Sequence, residues 1–103
     1  MNFNEMAWEF LEKIPRGKVT TYREIAIALG NAGAARAVGN ACSKNPFAPS
    51  VPCHRVVKSN GMIGNYAKGI DAKKTLLESE GIKIKNNKLL NFESFLVTAR
   101  ELV

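Results

Sequence analysis

Apolar residues recur at three- and four-residue spacing from Phe3 to Ile14. Phe3, Met6, Ala7, Phe10, Leu11 and Ile14 share one side of a helix. Pro15-Arg16-Gly17 stops that helix. A second stripe follows: Tyr22, Ile25, Ala26 and Leu29. Thr20 or Thr21 caps it, and Glu24, three residues after Thr21, completes a capping box. Gly30 ends it, and Asn31-Ala32-Gly33 is a short turn. A third helix runs from about Ala34 to Ser43 and is rich in small residues: Ala34, Ala35, Ala37, Gly39 and Ala41.

The pattern then changes. Asn45 to Pro52 holds three prolines and reads as a loop. Cys53 to Val57 reads as a short extended segment. Asn60-Gly61 is a tight-turn signal, with Met62-Ile63 pairing back as the other side of a small hairpin. Gly64 to Gly69 is a loop bounded by glycines. Asp71 caps a fourth helix, Ala72 to Glu80, with Leu76 and Leu77 inward and Gly81 as its stop. Ile82-Lys83-Ile84 and Lys88-Leu89-Leu90 read as a hairpin around Asn86-Asn87, and Phe92 to Leu102 as a closing helix. Two short helices joined by a Gly-containing turn are a helix-turn-helix, whose second helix normally faces DNA. The fold expected is mainly α: a winged helix-turn-helix with a small β-hairpin, one domain over residues 1–103.

Charge sharpens this picture. The chain has 103 residues and a net charge of +6. Lys13 to Lys74 holds eleven Lys/Arg against Glu24 and Asp71, a net of +9, while the two flanks together are −3. Such asymmetry favours a polyanion, most simply nucleic acid, over a merely solvated surface. No apolar run approaches the ~20 residues of a membrane span, and the N-terminus lacks the order of a secretory signal. A cytoplasmic location and no membrane partner are therefore expected. Two cysteines cannot build a disulfide framework. With no CxxC pair and a single histidine, no metal site is expected.

The candidate chemistry lies in Pro52-Cys53-His54-Arg55-Val56. A thiol attacks as thiolate, which nearby cations or a base favour. The only imidazole in the chain adjoins this thiol, and Arg55 adds a fixed charge. In an extended segment Cys53 and His54 would face opposite sides, so a water bridge is expected rather than direct contact. Cys42, on the small-residue helix, has no base nearby in sequence and reads as structural.

These pieces together resemble the C-terminal, DNA-binding domain of O6-alkylguanine-DNA alkyltransferases. The likeness covers about Ala7 to Gly81. It is carried by Ile14-Pro15-Arg16-Gly17-Lys18-Val19-Thr20-Thr21-Tyr22, Ala35-Arg36-Ala37-Val38-Gly39, Asn45-Pro46 and Pro52 to Val57, then by Gly61, Gly64-Asn65-Tyr66, and Lys73 through Leu76-Leu77 to Glu80-Gly81. The resemblance implies a stoichiometric reaction without a cofactor. A cysteine thiolate takes the alkyl group from O6 of guanine in double-stranded DNA, and the base is flipped out by a helix-turn-helix in the minor groove.

Carried over residue by residue, it implies Cys53 as alkyl acceptor, His54 as base and Glu80 as the group orienting it. Asn45 would tie the helix-turn-helix to the cysteine segment. Tyr22 would press on the backbone and hydrogen-bond the base, the alternative being a core aromatic. Arg36 would fill the stack as the base leaves, the alternative being a phosphate contact. Ala35, Ala37 and Gly39 would allow close approach to the groove. The Val56 carbonyl, Tyr66, Ala67 and Lys73 would form the guanine pocket. Arg55 reads as structural, paired to an acid.

Lys68, Phe47 and Ala48 depart from common family choices. One domain without the N-terminal domain usual in the family is expected, as in the small alkyltransferase-like proteins that sense the damage without repairing it. Those usually carry another residue at the cysteine position, so Cys53 favours transfer. A monomer is expected. Repair, sensing with recruitment of other repair proteins, and an ordinary winged-helix DNA binder with an inert cysteine remain the three readings, and a stand-alone chain and a piece of a fusion both stay open.

Overall fold

The computed structural model describes residues 1–103. The first apolar stripe becomes α1, Phe3–Leu11, capped by the Asn2 side chain on Glu5 N at 2.8 Å. It ends before Ile14. Lys13 N and Ile14 N bond back only three residues, to Phe10 and Leu11, which tightens the last turn. Ile14 is nevertheless buried, whereas Met6 lies exposed. Trp8 turns inward instead, and its indole N–H donates to the Ala41 carbonyl at 2.8 Å.

The strand β1, Thr20–Thr21, leads directly into α2, Tyr22–Ala28. Thr21 caps α2 by accepting from Glu24 N at 3.0 Å. The expected capping box is only half formed, because the Glu24 carboxylate reaches the backbone N–H of Ala99 at 2.8 Å. A short 3₁₀ turn, Ala32–Ala34, delivers the chain into α3, Ala35–Ser43. α2 and α3 are the expected helix-turn-helix, with α1 packed across α3.

The segment after α3 departs from expectation. Cys53–Arg55 is a 3₁₀ turn rather than extended, closed by Arg55 N on Pro52 O at 3.0 Å. Only Val56–Val57 is strand, β2. It pairs in parallel with β1, Thr20 against Val56 and Thr21 against Val57, and not with Met62-Ile63. Met62 bridges to Lys88 instead. Helix α4 spans Ile70–Ser79. Its N-cap is Gly69 at φ +99, with Asp71 inside the first turn rather than capping. β3, Ile84–Lys85, and β4, Lys88–Leu89, form the antiparallel hairpin about Asn86-Asn87.

The expected closing helix is two pieces, α5 at Phe92–Phe95 and α6 at Ala99–Leu102. The chain leaves the helix between them to join β1. Val19 N donates to Phe95 O, Val97 N to Val19 O, and Thr20 Oγ1 to Val97 O. α6 is capped by Thr98 and Glu101, a full capping box. No helix is long and apolar enough to cross a membrane.

Two apolar cores meet at β2. Leu11, Ile14, Ile25, Val38, Cys53 and Val56 belong to the core under α1–α3. Val57, Ile63, Leu77, Ile82 and Leu89 belong to the core under α4 and the hairpin. Successive residues of a strand face opposite ways, so Val56 and Val57 each serve one core. Each fully buried Val, Leu or Ile contributes about 1.5–3 kcal/mol. The chain entering and leaving the Cys53 turn is thereby held from both sides.

The Glu24–Ala99 bond should fix α6. Glu24→Ala is expected to cost about 1.5 kcal/mol in urea unfolding and to speed amide exchange at residues 99–103 selectively.

Candidate active site

The Cys53 turn brings His54 and Arg55 onto one carboxylate. His54 Nε2 lies 3.0 Å from Glu80 Oε2. Arg55 Nε and Nη2 donate to the two Glu80 oxygens at 2.9 and 2.8 Å, and Arg55 Nη1 donates to Ile14 O at 2.8 Å. Adjacent side chains of an extended strand could not converge in this way, which accounts for the 3₁₀ winding. Glu80 follows the last residue of α4, and its side chain is 4% exposed. Burial pushes its carboxyl upward, but the Arg55 and His54 hydrogen bonds outweigh burial and hold it at about 2.

His54 is 2% exposed. Burial lowers its pKa from the ordinary value, and the Glu80 bond pulls the other way without restoring it. The neutral ring donates a hydrogen bond through its Nε2–H to ionised Glu80, which leaves the lone pair on Nδ1. Nδ1 is buried and has no hydrogen-bond partner in the protein. Glu80 thus holds the imidazole by Nε2, and Nδ1 is left unpaired.

Cys53 lines a cavity of about 750 Å³ between α2, α3 and the loop after β2. Helix α3 contributes Ala35, Arg36, Gly39, Asn40, Cys42 and Ser43. Tyr22 of α2 and Lys58, Asn65, Tyr66 and Ala67 of the opposite wall complete it. Arg36 is exposed at this cavity and forms no salt bridge. Ala37 points elsewhere on α3 and does not line it.

Val56 and Lys73, expected in the pocket, are not among its lining residues. Both are fully buried. Lys73 Nζ donates to Val56 O at 2.7 Å, to Asn65 O at 3.0 Å and to Tyr22 Oη at 3.4 Å. The lysine therefore pins the Tyr66 loop and Tyr22 from within. Burial lowers its pKa to about 8, against the pull of the two thiols. Tyr22 keeps its phenolic proton, because burial and then the neighbouring Cys42 and Cys53 raise its pKa. Burial, then Cys53, raises Tyr66 as well.

Asn45 sits where the tether was expected. Its Nδ2 donates to Val51 O at 2.7 Å and its Oδ1 accepts from Phe47 N at 2.9 Å. The same Val51 carbonyl accepts from Cys53 N at 2.9 Å. Lys68 Nζ reaches Ala48 O at 3.0 Å, closing one side of the loop.

Cys42, read as structural from sequence, also lines the cavity. Burial and then Cys53 raise its thiol to about 12, so it stays protonated. The spacing of Ala35, Gly39 and Cys42, beside Arg36, Asn40 and Ser43, is that of adjacent helix rows. Extending this face from Arg36 would have found Cys42, Asn40 and Ser43.

Residues 2–82 match the family described as 6-O-methylguanine DNA methyltransferase, DNA binding domain. The chain belongs to this family. A methylated-DNA–protein-cysteine methyltransferase of Methanosarcina acetivorans is 49% identical over 79 residues, 77% of this chain and 51% of that protein. The chain thus spans about half the length of the curated relatives it matches. Mycobacterium tuberculosis OGT in complex with DNA superposes with a TM-score of 0.76 at 46% identity, covering 79% of this chain and 49% of that one. S. pombe Atl1, in complex with damaged DNA containing O6-carboxymethylguanine, gives 0.78 at 32% identity, covering 95% and 99%. The winged helix-turn-helix is the DNA-binding domain of this methyltransferase family.

Glu80 should link stability to acid. Its folded pKa lies below the ordinary 4.5, so the stability it adds is complete above that value and is lost as pH falls toward 2. Glu80→Gln should remove that dependence. It should also cost about 3 kcal/mol at pH 7, because Arg55 loses its counter-charge; urea midpoints across pH measure both.

Proposed function

We propose that this chain repairs DNA by moving an alkyl group from O6 of guanine to Cys53 Sγ, after the base has turned out of the duplex into the cavity. The observation that carries the reading is the meeting of a thiol, a free cation and two tyrosines in one cavity. The thiol adjoins a neutral histidine whose open nitrogen can take a proton. In the proposed step Cys53 gives its proton to His54 Nδ1, through a water molecule. Glu80, kept ionised by Arg55, stabilises the imidazolium that forms. The thiolate attacks the alkyl carbon, the S–C bond forms, and the C–O6 bond breaks. Guanine leaves with the electron pair and takes up, through water, the proton that Cys53 gave to His54; Tyr22, which keeps its own proton, hydrogen-bonds the base. No cofactor enters this scheme.

Arg36 enters the stack where the base was. Flipping costs a few kcal/mol, and a planar, permanently charged group fits the gap. The small faces of Ala35 and Gly39 let α3 approach the groove. Ala37 would belong to the DNA side of α3 rather than to the cavity. Tyr66 and Ala67 form the wall against which the purine lies. Val56 and Lys73 act from behind it, by holding that wall. Residues 1–103 work as one DNA-binding domain in this reading.

A second reading is favoured by the likeness to S. pombe Atl1 over nearly the whole of both chains. The same cavity would then recognise the damaged base without transfer. Intact-protein mass spectrometry after incubation with duplex containing O6-methylguanine separates the two. Gain of one methyl group, mapped to Cys53, supports transfer; tight, damage-selective binding with no mass change supports recognition alone.

Cys53→Ser should abolish transfer and leave duplex affinity unchanged within about twofold, since no charge near the groove is altered. Arg36→Ala should weaken capture of the damaged duplex by about 1–3 kcal/mol and change undamaged-duplex binding much less. Equal losses on both duplexes would make Arg36 a phosphate contact. Titration of fluorescent duplexes with each variant measures these effects.

A further inference from the structure

The β3–β4 hairpin carries a feature that the overall charge of its flank conceals. Lys83, Lys85 and Lys88 are all exposed. No carboxylate pairs with any of them, since all three salt bridges of the protein converge on Glu80. Lys85 and Lys88 stand directly opposite each other in the strand register. Like charges in that position repel and weaken a hairpin. Between them Asn86 and Asn87 turn the chain at φ +53 and +58 and add two exposed amides. A lysine on an exposed edge strand also discourages pairing with other chains, but facing lysines go further than that and carry a cost. A bound polyanion turns this repulsion into attraction.

The hairpin adjoins the cavity through one turn. Leu89 N donates to Gly61 O and Ile63 N to Asn87 O, both at 2.9 Å. The Lys88 side chain runs so close to Gly61 that a Cβ there would lie 3.5 Å from its Cε. The turn is closed by Gly61 N on Lys58 O at 2.9 Å, and Lys58 is exposed and lines the cavity. Cations therefore run from the cavity edge at Lys58 to the hairpin tip at Lys85 and Lys88.

We propose that this hairpin is a second DNA contact, in which Lys85 and Lys88 grip the phosphate backbone of the duplex flanking the base held in the cavity. Lys83, just before β3, extends the grip. The inference rests on the reading of the chain as a DNA-binding repair protein. It adds a contact made outside the helix-turn-helix, one that positions the duplex without reading sequence or damage.

The test is equilibrium binding of the full chain to duplexes with and without O6-methylguanine over a series of salt concentrations. The variants are Lys85→Gln/Lys88→Gln and Lys85→Glu. The double variant should lower the slope of log affinity against log salt by about 2, since each phosphate no longer neutralised removes about 0.9. It should weaken both duplexes by the same factor, leaving preference for the damaged one intact. Lys85→Glu places opposite charges across the hairpin, so its Tm should match or exceed the wild type while its DNA affinity falls. That outcome excludes unfolding as the cause. An unchanged slope in the double variant, beside a steep slope in the wild type, overturns the hairpin contact and leaves the repair reading standing. A wild-type chain that binds neither duplex overturns both.

Discussion

The buried carboxylate of Glu80 is the constraint from which the site follows. It sits at the C-terminal end of α4, where a negative charge is disfavoured by the helix dipole, and it is almost wholly removed from water. It remains ionised because Arg55 grips both oxygens and His54 adds a third bond. Arg55 in turn reaches Ile14 O beyond the end of α1. One acid thus joins α1, α4 and the Cys53 turn. Breaking it would strand a cation and release the histidine together, so integrity of the fold and orientation of the imidazole are a single quantity here.

The helix-turn-helix was legible because its signals are local. Stripe spacing, a Thr cap and a Gly stop predict α2 and α3 to within a residue or two. The roles of Asn45, His54 and Glu80 came from the family resemblance; in the structure Asn45 bonds Val51 and Phe47, and Glu80 bonds His54. What was hidden depends on contacts far apart in sequence. The 3₁₀ turn at Cys53–Arg55 exists because two neighbouring side chains must reach one acid 25 residues away. The parallel pairing of Val56–Val57 with Thr20–Thr21 displaced the expected hairpin with Met62-Ile63. The break between α5 and α6 arises from Val19 and Thr20, over 70 residues upstream. Glu24 was a plausible capping-box member by spacing, yet Ala99 N claimed it.

Burial decided the remaining differences. The family resemblance placed Lys73 in the pocket, but it is fully buried and braces the cavity wall from behind. Cys42 looked inert because nothing near it in sequence could activate it, yet it shares the cavity with Cys53. Its own thiol stays protonated near neutrality. The lysines of the hairpin were obscured for another reason: net charge along the chain counts Glu80, which in three dimensions is consumed by Arg55 and His54.

The shared carbonyl of Val51 has a mechanical meaning. It accepts Asn45 Nδ2 and Cys53 N at once, so the chain just beyond α3 and the segment bearing the sulfur are linked through a single oxygen. A shift at the C-terminal end of α3 therefore pulls on the same oxygen that holds the Cys53 backbone N–H. Substitutions that displace the end of α3 would displace the sulfur in the same stroke.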